Sequence, residues 1–382
     1  MAVNAAWAQE AVRQALAADR REGVWHAQAE SVELSGGNGS PSTSEVPWFG
    51  SIAGAASQAF HQVFSAGRQA SAKVFPNGSI GFCRQAAKWA RLRSALTTMP
   101  LSQRDLPYPH CEFSDPGSGD LLRVVPERGG LISGWRCGDR EMVYLDLERF
   151  LDPAQSVRGG FPVLFPITGG LPDNQLPLPQ GTFTIGQHGF ARQLPWRMEP
   201  LADGRGVALE LSDTEETLQA YPFQFLLRME VRLAPGALEI GTTVSNRSAA
   251  PMPFSFGLHP YFNLSSLEGV RFEGLPTECL NHLTMAPAST AEQMQQLAQG
   301  IDLLARPSGA VRLVDEADGA TLELQLSHPF DLVVLWTEPP RPMVCIEPWS
   351  GPRQSLLSGD RKIELAPGAS TELHTRYALT RG

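Results

Sequence analysis

Lysine is nearly absent: Lys73, Lys88 and Lys362 are the only three in 382 residues. Acidic side chains outnumber basic ones, 40 to 31, giving a formal net charge of −9. A duplex nucleic-acid binder neutralises phosphates with positive charge, so that class of partner is excluded. No stretch of about 18 apolar residues occurs, so no helical membrane span and no membrane partner are expected. The five cysteines show no paired spacing, which excludes a disulfide scaffold and a CxxC zinc site. HxH, HxxxH and HExxH are missing, so no metal is expected. GxSxG is missing, and with it the nucleophile elbow of a serine hydrolase. Gly36-Gly37-Asn38-Gly39-Ser40 lacks a strand before it and a helix after it, so a nucleotide site is not expected either.

Acidic residues are also unevenly distributed. None lies between Glu45 and Asp105. Residues 1–98 hold nine basic and six acidic side chains, a balance of +3, whereas residues 99–382 hold 22 and 34, a balance of −12. Two compositions in one chain place a boundary near Met99. Before it, residues 4–22 read as an Ala- and Glu-rich helix. Residues 34–46 have the Gly/Ser/Pro composition of a linker, and residues 84–98 could form a basic amphipathic helix. The stretch 46–104 has the composition of an organellar transit peptide, although it does not begin at residue 1. The expectation is an extension of low structure or isolated helices over 1–98, dispensable for activity. Met99 is then expected to open the functional domain, 99–382.

That domain reads as all-β. Short apolar or alternating runs follow one another: Leu121–Pro126, Leu131–Cys137, Met142–Asp146, Val207–Leu211, Phe223–Leu233, Leu238–Ser245, Thr321–Leu326, Leu332–Trp336 and Val344–Glu347. Turn residues separate them, among them Asp203-Gly204, Pro235-Gly236 and Asp318-Gly319. One helix is expected, Thr290–Gln299. Many short antiparallel strands over this length imply a large β-sandwich or barrel.

Four segments carry polar groups where strands should be apolar. In Phe254–Asn263, Phe254, Phe256 and Leu258 share one face and Ser255, Gly257 and His259 the other. The small residues are expected to leave space in front of the His259 imidazole. Glu347 closes the apolar run Met343–Trp349. A carboxylate there is costly without partners; it either pairs with an arginine such as Arg353 or is a general base with a raised pKa. Arg158 heads the rigid Gly/Pro run Arg158–Pro166. His188, Arg192 and Trp196 follow within ten residues, where either arginine could equally cap or pair. One buried carboxylate, two histidines and two arginines suit proton transfer on a sugar. A glycosidase would want a second facing carboxylate, and only one can be nominated.

Taken together, these segments resemble the aldose 1-epimerase (galactose mutarotase-like) superfamily, and especially its bacterial branch near the hexose-6-phosphate 1-epimerases. The resemblance covers roughly residues 118–380. It rests on the early Gly129-Gly130 strand, RGGFPVLFP, HGFAR with Trp196, GLHPYFN, CIEPW and the closing LAPGAS–TRYAL pair. It implies a large antiparallel β-supersandwich with a concave sugar cleft. It implies His259 as general acid, Glu347 as general base, His188 as a second, substrate-binding histidine, and Arg158 and Arg192 beside the substrate. It implies no cofactor. The activity implied is interconversion of the α and β anomers of a hexose by ring opening and closure, on a free sugar or on a hexose 6-phosphate.

Galactose-type relatives carry an acidic sugar-binding residue between the His and Glu motifs. Thr277–His282 offers no clear Asp at the expected place, and Asp331 sits at a strand start, so the residue that holds the distal hydroxyls is left unassigned. Three other readings compete: the phosphosugar version of the same chemistry, a non-catalytic carbohydrate-binding module, and a glycosidase or lyase on a sandwich fold. The scattered Cys83, Cys111, Cys137, Cys279 and Cys345 point to a reducing compartment, which makes the cytoplasm the simplest location.

Overall fold

The computed structural model describes residues 101–381. The helices expected at 4–22 and 84–98 and the linker at 34–46 lie outside the described residues. Within the described residues the chain is built mainly of antiparallel strands in three larger sheets and two small two-stranded ones.

The first sheet has five strands in chain order: Leu101–Arg104, His110–Ser114, Leu121–Val125, Leu131–Cys137 and Arg140–Glu141. The second has eight strands. Its centre is a pair of ten-residue strands, Phe225–Ala234 and Ala237–Asn246, with Ser370–Arg381 alongside. Phe225, Leu227, Met229, Val231 and Leu233 are buried while the residues between them are not. That period of two is what a strand with one wet face requires. Pro235-Gly236 closes the pair, and Gly236 at φ 64° supplies the left-handed residue of the tight turn.

The third sheet carries the site. Its strands run in the order Ala286–Ser289, Glu278–Asn281, Asp302–Ala305, Leu332–Trp336, Met343–Trp349, Gly257–Leu258 and Val163–Leu164, with Tyr261–Asn263 also paired to Met343–Trp349. Every residue of Met343–Trp349 is buried. Val344 and Ile346 point into the main core, while Met343, Cys345 and Trp349 belong to separate small clusters on the opposite face. One hydrophobic cluster runs through all three sheets and includes Trp135, Phe161, Phe165, Phe225, Phe262 and Tyr377. Tyr377 links the layers directly, donating its hydroxyl hydrogen to the Ile346 carbonyl at 2.9 Å. The strand bearing Glu347 is thus pinned from beneath.

Two expected elements differ. Met142–Asp146 makes only isolated bridges, Val143 to Phe262 and Leu145 to Gly159. The Asp146 carboxylate accepts the Arg149 N–H at 3.1 Å and caps a short helix, Leu147–Leu151, so the chain turns there. The helix expected over Thr290–Gln299 is regular only from Thr290 to Met294. The following residues, 295–299, are turns that bury Leu297 in the main core before Gly300, at φ 111°. The first sheet's opening strands, Leu101–Arg104 and His110–Ser114, were not anticipated from the sequence.

Candidate active site

The register of the third sheet brings two distant segments together. Gly257 pairs with Trp349 and Tyr261 with Cys345, so His259 stands opposite Glu347. His259 Nε2 lies 3.4 Å from Glu347 Oε1. Both line a polar cavity of about 340 Å³, together with His188, Arg158, Arg192, Asp302 and Arg353. A volume of this order accommodates a single small ligand such as one sugar ring.

Glu347 is 1% exposed. Its other oxygen, Oε2, accepts the Trp349 indole N–H at 3.0 Å. Burial pushes the Glu347 carboxyl well above the usual carboxylate range, the Asp302 charge adds to this, and the Trp349 N–H opposes it. Burial likewise pushes His259 down, helped by the Arg192 guanidinium. The two shifts favour one state of the resting pair: a neutral imidazole beside a protonated carboxyl. The His259 ring stacks on Tyr261 at 4.9 Å and 15° and meets the edge of Trp336 at 5.8 Å, so its plane is fixed.

The small residues near His259 have a different use from the one expected. A side chain at Gly257 would come within 2.9 Å of the Trp349 ring, and Ser255 Oγ accepts the Thr168 backbone N–H at 2.9 Å. They make room for Trp349 and Thr168 rather than for space before the imidazole. Arg353 does not pair with Glu347. Its guanidinium reaches Asp302 at 2.7 Å.

His188 has φ 67°, and its Nδ1 accepts the Gly169 N–H at 3.0 Å. Nε2 therefore carries the proton and is a donor at the cavity wall. Burial first, then the neighbouring His259, hold its pKa well below the ordinary value, so the ring stays neutral. Arg158 lies over the Trp336 ring at 5.8 Å and its Nε is 3.3 Å from Glu338. The glycines that follow it are required. A Cβ on Gly159 would meet Tyr144 O and Leu145 Cα at 2.5 Å. Arg192 donates to the Gln187 carbonyl at 2.9 Å, with no carboxylate within ion-pair distance among the described residues. Trp196 stands apart, buried in the core with its indole N–H on the Ala191 carbonyl at 2.9 Å.

Sequence reasoning missed Asp302. It opens the strand Asp302–Ala305 and lies on the cavity wall, with His282 Nδ1 at 2.8 Å and the Arg353 guanidinium at 2.7 Å. Burial alone would raise its pKa, but these two partners hold it below the ordinary carboxylate range. The available signal was an acid starting an otherwise apolar strand between the His259 and Glu347 motifs. Asp331, the acid that sequence offered, lies outside this cavity and pairs with Arg361.

The described residues thus form an antiparallel β-sandwich that holds a buried carboxyl against an imidazole on the wall of a polar cavity. The aldose 1-epimerase family profile matches residues 119–378. The Slr1438 protein of Synechocystis sp. PCC 6803 is 31% identical with a TM-score of 0.69, the match covering 75% of this chain and 99% of that one. A galactose mutarotase related enzyme of Lactobacillus acidophilus shares the fold at 23% identity and a TM-score of 0.59, over 70% of this chain and 97% of its own. A Cenchrus ciliaris protein named "Putative glucose-6-phosphate 1-epimerase" is 32% identical over 161 residues, 39% of this chain and 46% of that protein. The Escherichia coli protein of the same name is 29% identical over 154 residues, 39% and 47% of the two. The chain thus spans about half the length of these two named relatives. The chain belongs to the aldose 1-epimerase family, a family of isomerases.

Proposed function

We propose that the protein interconverts the α and β anomers of a hexose, with Glu347 as general base and His259 as general acid. The observation that carries this is the 3.4 Å approach of the two groups on the wall of one cavity. The anomeric hydroxyl and the ring oxygen sit on the same carbon, so an acid and a base that serve both must stand side by side. The resting pair holds one proton, and its reactive arrangement is carboxylate with imidazolium. Glu347 Oε1 takes the proton of the anomeric hydroxyl as His259 Nε2 gives one to the ring oxygen. The C1–ring oxygen bond breaks, leaving an aldehyde. Rotation about C1–C2 presents the other face, and the reverse transfers close the ring. No bond to a leaving group is cut, so a second facing carboxylate is not required. His188 Nε2–H and the Asp302 carboxylate are placed to hold hydroxyls.

The distal end of the substrate is best read as phosphorylated. Arg192 reaches the cavity with no carboxylate partner among the described residues, and a guanidinium fork suits a phosphate. Arg192 and Arg158 are also charges that disfavour an imidazolium at His259. A bound phosphate would offset both and help His259 hold the proton it must donate. The four described cysteines are free, which suits work in a reducing compartment such as the cytoplasm.

The test is direct. Fresh α-glucose and α-glucose 6-phosphate are followed by NMR with and without enzyme. Accelerated exchange confined to the phosphate is the expected result. Acceleration only on the free sugar overturns the phosphate reading, and binding without exchange on either overturns the enzymatic one.

A further inference from the structure

Trp349 touches Glu347, His188 and His282 at once. Its indole N–H donates to Glu347 Oε2 at 3.0 Å. The ring meets two imidazoles: His188 edge-on at 5.8 Å and 79°, and His282 tilted at 5.9 Å and 31°. His282, with 0% of its side chain exposed, is held by Asp302 at 2.8 Å. On the strand side, Gly257 is so close that a Cβ there would sit 2.9 Å from the indole. The indole is therefore closed in on each of these sides, and the direction of its N–H is set by packing.

We infer that Trp349 is a positioning residue that commits Glu347 to a single working oxygen and, through His282, ties the base to the hydroxyl-holding Asp302. The inference rests on the anomer-exchange reading above. A free carboxylate can offer either oxygen to a substrate. Here Oε2 is taken by the indole, so only Oε1, the atom facing His259, is left to carry the proton. The N–H also helps the carboxylate form, because a hydrogen bond to the charged state stabilises it. The groups that face Glu347 are His259, Cys345, Asp302, Arg353 and Arg192, and Tyr377 lies below it through the core. None of these makes a hydrogen bond to the carboxylate, which among the described residues accepts one from Trp349 alone. Asp302 and Glu347 are thus the two ends of one chain of contacts, a hydrogen bond at each end and the His282–Trp349 ring contact between them.

The test replaces the indole by benzothienylalanine, which keeps the ring's shape and lacks the N–H, with Trp349→Phe as the genetically simpler companion. Two readouts are taken on the full chain. The first is anomer exchange: kcat is expected to fall about ten- to a hundredfold, as for loss of a charged hydrogen bond, with KM changed by less than about threefold. The second does not depend on activity. Titration of the Glu347 side-chain carboxyl is followed by ¹³C NMR and assigned by its loss in Glu347→Gln. Its midpoint is expected to move to higher pH in the benzothienyl protein. An unmoved midpoint overturns the inference, as does a change confined to KM, which would make Trp349 a sugar platform only. If the parent protein exchanges no sugar while the midpoint still moves, the inference stands and the functional reading falls.

Discussion

His259, between two short strands that both pair with Met343–Trp349, stands 3.4 Å from Glu347 on that strand, although 88 positions separate them in the chain. If the two act as one acid–base unit, Glu347→Gln and His259→Ala should each slow anomer exchange by at least about a hundredfold. The double substitution should be scarcely worse than either alone, because groups that work as a unit are not additive. Circular dichroism and thermal melts should show both variants folded. Exchange at the parental rate in either one would remove that residue from the mechanism.

The same burial that makes Glu347 useful makes it costly. Its folded pKa is raised, so the folded state binds more protons than the unfolded chain between the ordinary carboxylate value, about 4.3, and the raised one. Stability is therefore lost as pH rises through that window. Glu347→Gln should melt at a higher temperature than the parent at neutral pH, and the gap should close as the pH falls towards 4. Parallel melting curves at every pH would mean that the carboxyl is not desolvated in solution.

Arg192 gives a charge-specific prediction. Arg192→Gln should raise KM for hexose 6-phosphate by about tenfold or more and leave the free hexose nearly unaffected, since the guanidinium's distinct contribution is to an oxyanion. Added salt should weaken the parental preference for the phosphate, because part of it is Coulombic at a half-exposed site. Steady-state kinetics on both sugars at two ionic strengths decide this. An equal loss on both sugars would make Arg192 a structural support.

Sequence showed the alternation of Phe225–Ala234 and the His259 and Glu347 segments because each depends on local pattern: period two, or a charge in an apolar run. Asp302 was not legible. It becomes part of the site through pairing with Trp336 and through His282 and Arg353, which lie 20 and 51 positions away. The expected Thr290–Gln299 helix had helical composition, but its apolar residues are needed along the sheet, and packing outweighed propensity. Gly257 was visible as a small residue, yet its use could be seen only once Trp349 lay across it.

Asp302 leads to the last prediction. Its two oxygens are held by His282 and Arg353, and its depressed pKa keeps it ionised across the neutral range, so it is an acceptor at the cavity wall at any working pH. Asp302→Asn keeps the shape, but it loses the charge and turns one acceptor into a donor aimed at His282 or Arg353, both of which already donate. KM for the preferred sugar should rise by about tenfold or more, while kcat at neutral pH should fall by much less, because the proton-transferring pair remains. A second effect separates this role from mere support. The Asp302 charge is one cause of the high pKa of Glu347, so Asp302→Asn should let the Glu347 carboxyl titrate at lower pH, opposite in sign to the change expected on removing the Trp349 N–H. If both substitutions moved the titration in the same direction, the electrostatic arrangement described for this cavity would be wrong.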